Sequence, residues 1–289
     1  MKPPVARKFE VSCELDYQLN KAATFLFSMK AQESEGQTVL SETVRTLPEV
    51  TVEDFQIDRG MNRFCRFRTY NPGWISLFYG AEVESTTRLV DVADLISGEV
   101  AEIDPDGLQF LFPSRYCQSD LILQEAESMF GDIGSAYEIA SAVSDWIFEN
   151  VSYVSGSSGE SCSAVDTFEK REGVCRDFAH LGIALCRALC VPARYASVYA
   201  HQLDPQDFHA CFEVFINGVW YLFDPTRLAP LNGLVRIATG RDAADVAVCT
   251  FYGDAILTKS VVECVALDTN FLAITRDGLV ESGQAIVLC

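Results

Sequence analysis

From residue 9 to residue 90 apolar and polar side chains alternate in runs of strand length. The runs are FEVSCELDYQL (9–19), ATFLFSMKA (23–31), TVLSETVRTL (38–47), RFCRFRTY (63–70) and WISLFYGAEVESTTRLV (74–90), broken by EGQ, DRGMN and NPG. A period of two sends successive side chains to opposite faces, so each run predicts a half-buried strand and each break a turn. Within 63–70, Cys65, Phe67 and Thr69 alternate with Phe64, Arg66 and Arg68. That pattern predicts one packed and one wet face, as in an antiparallel β-sandwich. The segment groups no reactive side chains.

The period changes after the polar stretch SGEVAEIDPDG and Phe112-Pro113, which predicts two units, 1–112 and 113–289. Ser135 followed by Glu138 has capping-box spacing, and Ile139, Val143, Trp146 and Ile147 then recur at helical intervals up to about Asn150. Beyond the loop GSSGES, a helix is predicted from Cys175 to Cys190, with Phe178, Leu181, Leu185 and Leu189 on one stripe and Pro192 closing it. A strand, RYASVYA, follows. Then comes a hairpin of FHACFEVFI, Asn217-Gly218 and VWYLFD. The tail predicts strands at FYGDAIL and SVVECVAL and a further hairpin around Thr275-Arg276-Asp277-Gly278. The expected class is α+β, an antiparallel sandwich followed by a mixed core.

Composition and charge narrow the partners. The chain has 289 residues, 49% hydrophobic and 22% charged, an ordinary globular balance sufficient for about two domains. Its 22 Lys and Arg against 41 Asp and Glu give a net charge of −19. Such a surface repels phosphate backbones and anionic headgroups, so neither nucleic acid nor a membrane is an expected partner. No apolar run reaches the ~18 residues of a membrane span, and MKPPVARKFE lacks an apolar stretch after its basic residues. The eleven cysteines are irregularly spaced, odd in number and free of C-x-x-C pairs. That fits a reducing, cytoplasmic setting rather than a disulfide framework.

The second hairpin carries the candidate chemistry. A two-residue loop at Asn217-Gly218 places Ile216 against Val219, Cys211 against Asp224 and His209 against Thr226. His209 and Asp224 are then diagonal neighbours on one face, a gap an imidazole and a carboxylate can close. An oriented histidine activates a thiol or hydroxyl. Cys175, at the expected helix start, is the best-placed thiol, because free N–H groups and the helix dipole favour a thiolate there. Its own N–H is also suited to face a developing oxyanion. The plainer readings are a structural cysteine and a satisfied core His–Asp pair. Zinc ligation by Cys175, His209 and Asp224 is disfavoured by the lack of a short ligand pair and of a fourth ligand. His180, about 140° around the helix from Cys175, is expected to pack or cap. His201 is expected as a solvated loop residue.

The run Gly173-Val174-Cys175-Arg176-Asp177-Phe178-Ala179-His180-Leu181, then Phe208-His209-Ala210 with Glu213-Val214, then Trp220 and Phe223-Asp224-Pro225-Thr226, resembles the bacterial transglutaminase-like superfamily, often described as cysteine proteases. Arg236-Ile237 and Gly240 to Val246 resemble it too, and the amino-terminal strands resemble the β-rich region preceding its catalytic core. The resemblance implies a papain-like, transglutaminase-like α+β core with Cys175 as nucleophile, His209 as general base and then acid, and Asp224 as orienting carboxylate. It implies thiol-dependent acyl transfer on a peptide or protein, by hydrolysis or by amine transfer, without cofactor or metal. A non-catalytic interaction module on the same scaffold is the competing reading. One departure stands out: the family usually has Trp after the histidine motif at the position of Cys211. The second oxyanion donor, with Ser163 and Thr167 as upstream polar side chains, and the oligomeric state are left open.

Overall fold

The computed structural model describes residues 3–57, 62–95 and 100–289. The amino-terminal strands are β1 (Val5–Leu19), β2 (Ala23–Phe27), β3 (Gln37–Leu47), β4 (Glu53–Ile57), β5 (Asn62–Thr69) and β6 (Gly73–Asp91). Short β4 has no counterpart among the predicted strands, and four of the five DRGMN residues lie outside the described residues. Helices α1 (Pro105–Leu108), α2 (Leu123–Phe130) and α3 (Ala136–Asn150) follow, then β7 (Ser152–Tyr153), α4 (Ala164–Lys170), β8 (Glu172–Gly173) and α5 (Cys175–Ala188). The remaining elements are β9 (Ala193–Ala200), β10 (His209–Ile216), β11 (Val219–Phe223), β12 (Leu234–Gly240), β13 (Cys249–Tyr252), β14 (Ala255–Ala266), α6 (Arg276–Ser282) and β15 (Gln284–Leu288). None of the described helices is long and apolar enough to cross a membrane.

Two antiparallel sheets form the expected sandwich. One has the order β14-β1-β6-β15, with β3 also on β6, and the other the order β13-β2-β5-β4. Their inner faces meet through aromatic rings, Tyr17 on Phe25 at 5.0 Å and on Phe27 at 6.0 Å. Cys65, Phe67 and Thr69 are buried while Arg66 and Arg68 are exposed, as the alternation predicts, but Phe64, which alternates with the arginines, is buried as well and stacks on Phe55. Three strands of the sandwich, β13, β14 and β15, come from the tail of the chain.

The tail also corrects one expectation. The segment around Thr275-Arg276-Asp277-Gly278 is no hairpin but the start of α6. Thr275 acts as N-cap, its hydroxyl accepting from the Gly278 N–H at 3.2 Å. Buried Leu279 and Arg276, which donates to both oxygens of Asp145 at 3.0 and 2.8 Å, anchor the helix. Side-chain capping and a core contact one turn later thus override turn-forming composition.

The third sheet, β11-β10-β9-β12, is antiparallel throughout, and every residue of β9 and β12 is buried. One face lies under α5. Gly182 permits that approach, since a Cβ there would stand 2.6 Å from the Phe212 ring. The other face shares a second core of Ala196, Val198, Leu222 and Leu234 with Leu279 of α6 and Ile286 and Leu288 of β15. The helix and the hairpin are therefore locked together by packing on both sides of one sheet.

Candidate active site

The hairpin forms in the register derived from its turn. Asn217 and Gly218 both have positive φ, 50° and 81°, the turn geometry that matches strand twist, and Ile216 pairs with Val219 and Phe212 with Phe223. His209 and Asp224 meet as diagonal partners, Nε2 lying 2.8 Å from Oδ2, with 2% and 3% of their surfaces exposed. The other carboxylate oxygen is held by Thr226, whose N–H and Oγ1–H donate to Oδ1 at 2.9 and 2.7 Å. The Asp-Pro-Thr turn thus fixes the carboxylate before it fixes the ring.

Cys175 is the first residue of α5 and is half-buried. Val174 precedes the helix in extended conformation, and its N–H donates to Asp177 Oδ2 at 2.9 Å. Asp177 Oδ1 accepts from the Ser158 hydroxyl at 2.9 Å, and Arg176 donates to Ser158 Oγ and the Gly159 carbonyl. The loop GSSGES, flexible by composition, is therefore pinned to the helix start. Cys175 lies close enough to the His209 ring to raise its proton affinity. Burial alone would push His209 down; the charges of Asp224 and Cys211, the hydrogen bond the ring donates to Asp224 and the nearness of Cys175 outweigh it and hold the ring well above the ordinary histidine range.

Tyr153 is the site residue that sequence reasoning missed. The parallel pairing of β7 with β8 sets it beside Gly173, two positions before Cys175, and its ring leans on Phe178 at 5.7 Å. Its phenol lies close enough to Cys175 to feel the sulfur, and burial and then that sulfur push it up to about 12. A two-residue strand leaves no period to read, so no signal in the sequence singles it out. Ser163 and Thr167, the upstream polar side chains, lie elsewhere in role: Ser163 caps α4 against Asp166, and the Thr167 hydroxyl donates to the Ser163 carbonyl.

The remaining sequence candidates separate cleanly. His180 packs and caps, as expected: it is fully buried, stacks on Tyr116 at 5.0 Å and accepts from the Ala243 N–H at 3.1 Å. Burial and the neighbouring Arg176 and Arg187 push it well below 6.5. His201 differs from expectation. It is half-buried, packs edge-on against Phe271, and its Nδ1 accepts from the Ala266 N–H at 3.3 Å, tying its loop to β14. Proximity to an edge strand, invisible in a one-dimensional pattern, recruits it. All eleven cysteines are free, and burial pushes Cys65, Cys117, Cys211 and Cys249 up to about 12.

A transglutaminase-like superfamily model matches residues 124–225, and a model of the bacterial transglutaminase N-terminal domain matches residues 7–106. A crystal structure of a candidate cysteine protease from Cytophaga hutchinsonii is 44% identical, covers 99% of this chain and 98% of that one, and superposes with a TM-score of 0.94. An uncharacterised protein of Mycobacterium leprae is 30% identical over 115 residues, and the match spans 41% of its length. The periplasmic domain of TgpA from Pseudomonas aeruginosa is 16% identical over 79% of this chain and 94% of that one, with a TM-score of 0.40.

Proposed function

The chain belongs to the transglutaminase-like superfamily, whose core is thiol-dependent, and from that premise we propose that it cleaves peptide or isopeptide bonds as a cysteine peptidase or amidase. The observation that carries the reading is the buried 2.8 Å contact between His209 and Asp224, with Cys175 at the same ring. With Nε2 committed to Asp224, Nδ1 is the ring atom left to exchange a proton with the thiol. Cys175 Sγ, its proton already resting on His209, bonds to the amide carbon as the carbonyl opens to an oxyanion. The oxyanion then faces the Cys175 N–H and the Tyr153 hydroxyl, which makes Tyr153 the second oxyanion donor. Collapse breaks the C–N bond, and the imidazolium returns its proton to the leaving amine. Water, deprotonated by His209, hydrolyses the thioester and frees the thiol.

A screen of peptides and isopeptides with wild type and Cys175→Ala in parallel tests the reading. Turnover by the wild type and none by a folded Cys175→Ala or His209→Ala is expected; full turnover by Cys175→Ala would contradict it. Asp224→Asn keeps partial activity, and the alkaline limb of its kcat/KM profile moves to lower pH. The sign follows from charge, because without the carboxylate burial lowers the ring's proton affinity. Tyr153→Phe lowers kcat by ~100-fold or more with little change in KM, as expected for a donor used only in the transition state.

A further inference from the structure

The sequence reading weighs zinc at Cys175, His209 and Asp224 and sets it aside for want of a short ligand pair and a fourth ligand; the fold instead brings Cys211 to His209 and Asp224. Cys211 follows His209 by two positions on β10, and a ring nitrogen of His209, Cys211 Sγ and a carboxylate oxygen of Asp224 all lie within 4.8 Å of one another. The three residues are 2%, 0% and 3% exposed. A tetrahedral zinc ion, with bonds of ~2.0–2.3 Å, places neighbouring donors roughly 3.3–3.7 Å apart, so small shifts suffice to close the cluster around it. Thiolate, imidazole and carboxylate together suit zinc, whereas magnesium and calcium require oxygen donors throughout. Thr226 already holds Asp224 Oδ1, which leaves Oδ2 for the ion and supplies the outer hydrogen bonds that such ligands need.

We propose that His209, Cys211 and Asp224 form a site for zinc or another thiophilic divalent cation, and that filling it disables the Cys175–His209 pair. On binding, the Cys211 thiol and the Nε2–H of the His209 imidazolium each lose a proton to solvent as S–metal and N–metal bonds form, and the ring keeps its proton on Nδ1. Asp224 Oδ2 exchanges its hydrogen bond to Nε2 for a bond to the ion, and the fourth position takes water. No electron is transferred. The ring then carries a cation where it had a carboxylate partner, so it can no longer draw the proton from Cys175.

The binding half stands without the catalytic reading; only the disabling half rests on it. Cobalt(II) serves as the probe because a thiolate ligand gives it a sulfur-to-metal absorption band. Wild type and Cys175→Ala should both bind one ion with that band, zinc should displace it and magnesium should not, while Cys211→Ala should lack it. Cys211→Ser replaces Cys211→Ala if circular dichroism shows that the cavity unfolds the latter. An equal band in the Cys211 variants, as from the exposed thiol of Cys190, overturns the site. Zinc should also slow iodoacetamide alkylation of Cys175 by ~10-fold or more in wild type and leave the rate unchanged in Cys211→Ala. Unslowed alkylation in zinc-loaded wild type overturns the switch. Both readouts are independent of turnover, so inactivity toward every amide tested would count against the peptidase reading alone.

Discussion

The sandwich and the third sheet handle charge in opposite ways. On β5 Arg66 and Arg68 stay on the wet face, where Arg66 meets Glu53 with side chains 51% and 60% exposed. In the third sheet Arg194 and Arg236 both close on Glu213, a carboxylate with no exposed side-chain surface. Burial pushes the Arg194 guanidinium down to about 10, while the two cations outweigh burial at Glu213 and hold its carboxyl below the usual range. An ion pair in water contributes ~0–1 kcal/mol, whereas breaking a buried one costs ~3–5 kcal/mol. The same dry surroundings separate the two fully buried histidines: His209 has Asp224 and is held charged, while His180 has only a neutral backbone donor and is held neutral. Burial sets the stakes, and the partner decides the sign.

Glu213→Gln should break this comparison hardest. Leaving two buried guanidinium groups with a neutral partner should cost ~3–5 kcal/mol by denaturant titration. A loss below about 1 kcal/mol would mean that the third sheet screens charge as the sandwich surface does. Gly182→Ala comes next. Forcing α5 off Phe212 should cost ~1–3 kcal/mol and also lower kcat, since the helix that moves carries Cys175.

A sharper test is the pH dependence of Tm. His180 is depressed, so its contribution is present above 6.5 and is lost as pH falls below that value. His209 is raised, so its contribution is full below 6.5 and is lost only as pH climbs through its folded value. His180→Gln should therefore lose less Tm than wild type between neutral pH and about pH 5, and an unchanged acid slope would show that His180 is already protonated. Smallest of all, Glu53→Ala should change stability by at most ~1 kcal/mol, and less at high salt.

The site was readable in the sequence wherever a local rule fixed the geometry. The Asn217-Gly218 turn sets the strand register, so the approach of His209 to Asp224 follows by counting. Ser135 and Glu138 cap α3 because their spacing matches one helical turn. Readability failed where partners are distant. Nothing local shows that Val11 pairs with Cys264 or Leu89 with Ile286, or that a two-residue strand carries Tyr153 to Cys175. Around Thr275 the local rules compete, turn composition against an N-cap, and the buried Arg276 and Leu279 decide between them.

The pairing of β1 with β14 has a consequence for biosynthesis. The partners Val11 and Cys264 are separated by about 250 residues, so a ribosome completes the whole segment bearing Cys175, His209 and Asp224 before the first strand, which can pair early with β6, finds its second neighbour. Until then β1 offers an open edge, the condition under which chaperones engage nascent polypeptides. Catalytic competence should accordingly lag behind translation, arriving only once the late strands have zipped the early sheet shut.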